Sequence, residues 1–226
     1  MSSRDFSDPN PAAFRLHLLD VGVEKYADAV LIEFGATKVL IDGAHTGDHD
    51  GSEGHPSIPE QLQKILGDPV PRIDLLIVSH LHEDHIGCLP RLVSDGILRA
   101  RWALVVHPDL GWPRGPVDAF DAEADFRVLQ VVAGLREEPR LEELDGRSVD
   151  SFLADAAALE GSFRKMLDDL DGANTRIVRY TGESDADVRE LLDEFEPIGL
   201  KVIGPDDRQM LFCADKLDAG LRDAVR

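Results

Sequence analysis

The sequence predicts an α/β fold, and two hydrophobic patterns that alternate along the chain support this prediction. Short apolar runs typical of strands occur within residues 14–42, at 73–78 and at 101–106, and segments with helical spacing follow them. A cluster of ionisable residues comes directly after the run at 73–78. Open α/β sheets carry their chemistry at the carboxyl ends of strands, so this cluster is the first place to look for a functional site.

The elements are expected in a regular order along one domain at residues 14–226, after a loosely attached tail at 1–13. Ser57 is a candidate helix N-cap, and Glu60 three residues later completes a capping box. In chain order the predicted elements are three strands within 14–42, a helix at 57–67, a strand at 73–78, a helix starting at 86–93, a strand at 101–106, helices at 120–135 and 149–170, a strand at 175–180, a helix at 185–195 and a strand at 199–205.

Composition and charge limit the possible functions. The chain has 44 acidic and 24 basic residues, a formal net charge of −20. Such a surface repels polyanions and argues against nonspecific nucleic-acid binding, although a local metal centre would still accept a phosphodiester. The sequence has no run of about 18 apolar residues, so no membrane span is predicted. Its N-terminal residues contain no apolar stretch, so no secretory signal is predicted. With only two cysteines, a cytoplasmic location is expected.

The cluster after the motif strand predicts a metal site. Residues 79–85 (SHLHEDH) place three imidazoles and two carboxylates within six positions. His80 and His82 are two residues apart, so in extended backbone their side chains share a face. Asp84 and His85 follow the turn and can point back into the same space. Neutral imidazoles suit zinc, iron or nickel, and a carboxylate adds a hard ligand.

The pattern His80-x-His82-x-Asp84-His85 resembles the signature of the metallo-β-lactamase superfamily. Residues 16–22, 29–35 and 38–43 resemble the strands that precede this signature, and their wording is most similar to the ComEC-like (competence-protein) branch. The resemblance covers about residues 14–110. It implies an αββα sandwich with one or two metal ions, Zn²⁺ first and Mn²⁺ or Fe as alternatives. It also implies that His80 and His82 bind one ion, that Asp84 and His85 bind the second, and that Asp84 orients the attacking water.

The second half of the chain departs from the superfamily pattern. None of the eight histidines follows His107, and no Gly-Asp pair follows Gly67-Asp68, so the distal ligands are not found. The sandwich is therefore expected to be incomplete at its C-terminal side. Residues 116–171, with 15 acids and six bases, are predicted to be an acidic helical insertion. It would serve as a lid or a partner surface, although a solvated helical face is the simpler interpretation.

Two carboxylates are candidates for supporting the metal ligands. Asp42 ends a strand beside the motif strand and can accept the second imidazole N–H of a metal-bound histidine, with turn capping as its alternative. Asp20 ends another strand, and the resemblance places it near the floor of the site. For Asp20 turn capping is the favoured interpretation.

The remaining histidines are weaker candidates. Three of them, His45, His49 and His55, lie on a Gly-rich loop expected to overhang the metal, where a solvent-exposed loop residue is the simpler interpretation. His107 lies at a strand end and is either a site contact or part of a simple strand exit. His17 is expected to be structural. Glu83, between the ligands, is expected to face away from them.

Together these observations predict a metal-dependent hydrolase that uses hydroxide to attack an ester-type bond. Within the resembling family a phosphodiester is favoured over a thioester or a β-lactam, with a small-molecule or phosphodiester substrate. Two alternatives remain open because the distal ligands are missing. In one, the chain is a truncated or degenerate half-fold that acts as a non-catalytic interaction module. In the other, a further segment or a partner protein completes the site.

Overall fold

The computed structural model describes residues 14–22, 26–52, 54–106, 146–182 and 185–202, and of residues 146–157 and 160 it describes the backbone alone. The α/β fold class is confirmed. In chain order the strands and α-helices are β1 (Phe14–Leu18), β2 (Val30–Phe34), β3 (Thr37–Ile41), α1 (Ile58–Leu66), β4 (Arg72–Val78), α2 (Glu83–Ile86), α3 (Leu89–Ser94), β5 (Arg99–Val106), α4 (Gly146–Gly172), β6 (Arg176–Tyr180) and α5 (Ala186–Glu194). Short 3₁₀ helices lie at Thr46–His49 and Glu196–Ile198.

The six strands among the described residues form one sheet in the order β1-β2-β3-β4-β5-β6. β1, β2 and β3 pair antiparallel, whereas β3 and β4 run parallel, with Val39 opposite Leu75 and Ile41 opposite Ile77. The ends of two parallel neighbours lie at the same edge of a sheet. The residues that follow β3 and β4 therefore meet, and they include the predicted site.

The chain divides into two compact units. The first contains residues 1–103 and 169–176, and the second contains residues 104–168 and 177–226. Among the described residues of the first unit, the large side chains that are fully buried come mainly from β2, β3, β4 and the helices α1 to α3; they are Leu31, Leu40, Leu75, Leu76, Ile58, Leu62, Ile86, Leu89, Leu92, Leu98 and Leu170. The described part of the second unit buries Phe163, Met166, Val178, Val188, Leu191 and Phe195. The division into one domain with an insertion at 116–171 stays a prediction.

The capping box predicted for the first helix is confirmed. Ser57 Oγ accepts the backbone N–H of Glu60 at 3.2 Å, and the Glu60 carboxylate accepts the N–H of Ser57 at 3.1 Å. Gly67 ends the helix in the left-handed conformation, with φ of 65°. Among the described helices, none is both long and apolar enough to cross a membrane.

The helix predicted to start at 86–93 is wrong in its bounds. The structure has α2 from Glu83 and a separate α3 from Leu89, with a break at Gly87-Cys88. At the break the N–H of Cys88 donates to the carbonyl of Gly43 and not to that of Asp84, and Pro90 has no N–H to donate to the carbonyl of Ile86 four residues earlier. The first turn of α2 therefore carries Asp84 and His85 of the motif.

The predicted strand at 199–205 is also wrong over its described residues. Gly199, with φ of 75°, closes the 3₁₀ helix, and the N–H of Leu200 bonds back to the carbonyl of Phe195 at 3.3 Å. Leu200 is thereby used as a helix cap and does not pair as a strand. Residues 203–205 and the helix predicted at 120–135 lie outside the described residues, as does the predicted tail at 1–13. The helix predicted at 149–170 lies within α4.

Candidate metal centre

The parallel pairing of β3 and β4 brings Asp42 and Ser79 together at the carboxyl edge of the sheet. Asp42 follows β3 with φ of 59°, a left-handed conformation that Asp adopts more readily than most residues, and its N–H bonds to the carbonyl of Ile77. The residue is only 3% exposed. It accepts the backbone N–H of Ser79 at 2.8 Å and the hydroxyl of Ser79 at 2.6 Å. The buried Asp42 carboxylate thus ties the residue after β3 to the residue after β4 through two hydrogen bonds.

Backbone hydrogen bonds hold the motif turn against the segments that follow β3 and precede β2. Gly43 N–H donates to the carbonyl of His85, and Cys88 N–H donates to the carbonyl of Gly43. Asp28 N–H donates to the carbonyl of Asp84 at 3.1 Å. The positions of Asp84 and His85 are therefore set from two sides.

Three motif side chains converge closely enough to share one ion. His80, His82 and Asp84 each offer a ligand atom, and these atoms lie within 4.8 Å of one another. Ligand atoms on one Zn²⁺ lie about 2 Å from it and so at most about 4 Å apart, and side-chain shifts of under about 1 Å close this gap. Two imidazole nitrogens and a carboxylate oxygen are a donor set that fits Zn²⁺, Mn²⁺ or Fe.

His85 is oriented by the buried carboxylate. Its Nδ1 lies 2.8 Å from Asp42 Oδ2, and because a carboxylate only accepts, Nδ1 carries the proton. Nε2 is then left with its lone pair, 3.5 Å from Asp84 Oδ2 and 3.8 Å from Asp28 Oδ2. Asp84 therefore lies close to His85 as well as to the pair His80 and His82.

The imidazole of His80 is in an environment that favours its neutral form. Burial lowers the pKa of His80, and the nearby imidazoles of His85 and His82 lower it further. The ring of His80 lies 3.6 Å from that of His85 and 4.7 Å from that of His82, measured between centroids. Neutral imidazole is the form that binds a metal.

Asp20 caps a turn, the interpretation that the sequence favoured. Its Oδ1 accepts the backbone N–H of Gly22 at 3.0 Å and lies 3.2 Å from Nδ1 of His55. The Gly22 N–H is the main cause that lowers the pKa of Asp20, with the hydrogen bond from His55 contributing less. Neither of these hydrogen bonds joins Asp20 to a predicted metal ligand. The position near the floor of the site that the resemblance implies for Asp20 stays a prediction.

Two loop histidines are held by contacts of their own. His45 donates its Nε2–H to the carbonyl of Tyr26 at 2.9 Å. His49 is 7% exposed, so the expectation of a solvent-exposed loop residue is wrong for it. Its ring lies between two carboxylates, with Nδ1 3.1 Å from Asp50 and Nε2 3.5 Å from Asp95. The 3₁₀ turn that buries His49 could not be read from the Gly-rich composition of the loop.

Two of the other sequence candidates make contacts outside the ligand group. His17 bonds to Glu33 across β1 and β2 at 3.0 Å, as a structural histidine would. The side chain of Glu83 is half-exposed and lies 3.9 Å from the His45 ring. His107 lies outside the described residues.

Two residues at the site were not assigned roles from the sequence. Ser79 contacts Asp42 and His80, and Asp28 faces His85. The sequence shows that Ser79 directly follows the motif strand, but its link to Asp42 depends on the parallel pairing of β3 and β4, which the sequence does not show. Asp28 precedes an apolar strand, a position at which many loop carboxylates occur, so the sequence offered no specific signal.

The fold and the site together define an α/β protein with a His/Asp group suited to a divalent cation. Residues 22–169 match the metallo-beta-lactamase superfamily. A segment of 83 residues is 32% identical to cleavage and polyadenylation specificity factor 73 of Drosophila melanogaster, spanning 37% of this chain and 11% of that relative. The chain belongs to the metallo-beta-lactamase superfamily. Its assignment to the ComEC-like branch stays a prediction.

Proposed function

We propose that this protein is a metal-dependent hydrolase whose centre is formed by His80, His82, Asp84 and His85. The observation that carries the proposal is the convergence of ligand atoms from His80, His82 and Asp84 within 4.8 Å at the carboxyl edge of the sheet. Membership of a superfamily that consists largely of metallo-hydrolases supports it. A bound divalent cation would supply Lewis acidity, making water acidic enough to react at neutral pH and drawing charge from the substrate.

The side chains of the site have distinct roles in this proposal. His80 and His82 hold the first ion through neutral imidazole nitrogens, and His85 with Asp84 offers a position for a second. Asp84 lies close to both sets, and this proximity supports a role for its carboxylate in orienting water toward the substrate. Asp42 keeps the Nε2 lone pair of His85 directed toward the site.

A phosphodiester is the substrate class we favour. The relative from Drosophila melanogaster is named for cleavage and polyadenylation, and polynucleotide chains are joined by phosphodiester bonds. The chain's charge of −20 disfavours long-range attraction of a polyanion, so binding would depend on the local positive charge of the metal. A small phosphodiester or the end of a nucleic-acid strand would be repelled less by the negatively charged protein than a long duplex, and it could still bind the metal.

The missing distal ligands favour one competing function. In the full sequence no histidine follows His107, so a non-catalytic interaction module would explain the same residues without a complete metal shell. A partner protein or a further segment that supplies the remaining ligands is the other possibility.

We propose the cytoplasm as the compartment, because Cys88 is a free, buried thiol and two cysteines provide no disulfide framework.

Hydrolysis assays on the metal-loaded chain test this proposal. The protein would be incubated with Zn²⁺ or Mn²⁺ and offered bis(4-nitrophenyl) phosphate, an acyl thioester and a chromogenic β-lactam. We expect cleavage of the phosphodiester and a loss of about tenfold or more in Asp84→Asn, with His17→Ala as a control that leaves the rate unchanged. Cleavage of only the thioester or the lactam would overturn the substrate class. Metal binding without any cleavage would favour the interaction module.

A further inference from the structure

The hydroxyl of Ser79 lies where the buried carboxylate and two motif imidazoles meet. Its Oγ is 2.6 Å from Asp42 Oδ2, 3.0 Å from Nδ1 of His80 and 3.4 Å from Nδ1 of His85. The carboxylate reaches His85 directly but reaches His80 through this hydroxyl. Ser79 is thus the link between Asp42 and the first of the predicted ligands.

The number of protons available determines the direction of each hydrogen bond. A serine hydroxyl has one proton and two lone pairs, and an ionised carboxylate accepts only. The short contact to Asp42 therefore uses the Ser79 proton. Toward His80 the same oxygen can only accept, which requires the proton of the neutral ring to be on Nδ1. Nε2 of His80 is then left with a lone pair.

We propose that Ser79 is a positioning residue that transmits the orientation set by Asp42 to His80 and keeps His80 Nε2 available for a metal ion. One carboxylate then selects the tautomer of two rings, His85 by a direct bond and His80 through a hydroxyl. The proposal rests on the proposed metal centre for its functional meaning. Its structural part, the tautomer of His80, is independent of whether a metal binds.

Two variants distinguish a purely structural role of Ser79 from the proposed positioning role. The backbone N–H of Ser79 donates to Asp42 Oδ1 at 2.8 Å, and this bond ties the end of β4 to the residue after β3. Ser79→Ala retains that N–H and removes only the hydroxyl. Ser79→Thr retains the hydroxyl on the same carbon. A structural role predicts that both variants behave like the wild type, whereas the positioning role predicts that only Ser79→Thr does.

Nitrogen-15 NMR of the imidazoles in the metal-free protein measures the tautomer directly. The His80 signals would be assigned by comparison with His80→Gln. We expect a protonated Nδ1 in the wild type and in Ser79→Thr, and a shift toward protonated Nε2 in Ser79→Ala. A wild-type His80 protonated on Nε2 would overturn the proposal, and this outcome does not require either Ser79 variant to fold.

A titration with Zn²⁺ then tests the functional part. We expect Ser79→Ala to bind about 10- to 100-fold more weakly than the wild type, and Ser79→Thr to bind within about threefold of it. Equal affinities for wild type and Ser79→Ala would contradict the proposal. If the wild type binds no metal although His80 is protonated on Nδ1, the proposed function fails while the role of Ser79 in setting the tautomer stands.

Discussion

His85 donates its Nδ1–H to the buried carboxylate of Asp42 over 2.8 Å. The two residues are 43 positions apart, and the parallel pairing of β3 and β4 brings them together. Because the same carboxylate also accepts two bonds from Ser79, its oxygens face three donors. The site is therefore organised around an acceptor that an amide cannot replace.

Replacing Asp42 with Asn should weaken metal binding by about 10- to 100-fold. Asn fits the same volume and accepts the left-handed backbone, but its NH₂ group would face at least one of the donors from Ser79 and His85. The measurement is the Zn²⁺ affinity of the purified variant, with its circular dichroism as a check on folding.

Asp74→Asn is a matched control for this variant. Asp74 also bridges β3 and β4, where its carboxylate accepts the backbone N–H of Lys38 at 2.8 Å, and it lies within β4 before the motif. We expect it to retain wild-type affinity. If Asp42→Asn bound Zn²⁺ as tightly as Asp74→Asn, the orienting role of Asp42 would be wrong.

Gly87→Ala should destabilise the protein because there is no room for a side chain. A Cβ at Gly87 would clash with the backbone N of Thr46 and would lie 2.6 Å from the carbonyl oxygen of Glu83. Backbone atoms cannot move aside as a side chain would, so we expect a loss of about 1–3 kcal/mol in the free energy of unfolding. Denaturant unfolding followed by circular dichroism measures this change.

Gly161→Ala provides the comparison for Gly87→Ala. Gly161 lies in α4, and a Cβ there would meet nothing within 4 Å. The helix propensity of Ala predicts a gain of about 0.5–1 kcal/mol. Equal stabilities for Gly87→Ala and the wild type would show that α2 and the residues 45–46 are less closely packed than the structure has them.

The pair of Asp50 and Arg91 should make stability depend on acid pH. Two hydrogen bonds of 2.7 and 3.0 Å join the guanidinium to the carboxylate and, with a smaller contribution from His49, lower the pKa of Asp50 from 3.8 to about 2. A depressed pKa stabilises the folded state above the unfolded value of 3.8. This stabilisation is lost as the pH falls through about 2.

Carbon-13 NMR of the Asp50 carboxyl checks this assignment. We expect titration near pH 2 in the wild type and closer to 3.8 in Arg91→Gln. The stability difference between the wild type and Asp50→Asn should be constant above about pH 4 and shrink toward pH 2. Titration of Asp50 near 3.8 in the wild type would mean that the ion pair does not form in solution.

Local sequence patterns were enough to predict most of the elements near the site. The capping box of Ser57 and Glu60 and the apolar run of β4 depend on neighbouring residues, so they are visible in the sequence alone. The break between α2 and α3 was not predicted, because the apolar residues on both sides of Pro90 have helical spacing.

Contacts between distant residues could not be predicted from the same patterns. The burial of His49 between Asp50 and Asp95, and the bond of Asp50 to Arg91, depend on how a Gly-rich loop folds onto α3. Ser79 needed a similar step, because its link to Asp42 exists only if β3 and β4 are parallel. The ligand motif itself could be predicted because its residues lie within six positions of the chain.

Metal stoichiometry of the wild type, compared with His82→Ala and with His17→Ala, tests the central claim most directly. His82 belongs to the convergent group, whereas His17 bonds to Glu33 on β2. We predict one to two equivalents of Zn²⁺, Mn²⁺ or Fe per chain in the wild type and in His17→Ala, and a loss of at least one equivalent in His82→Ala. Unchanged metal content in His82→Ala, or no metal in any of the three proteins, would contradict the metal centre.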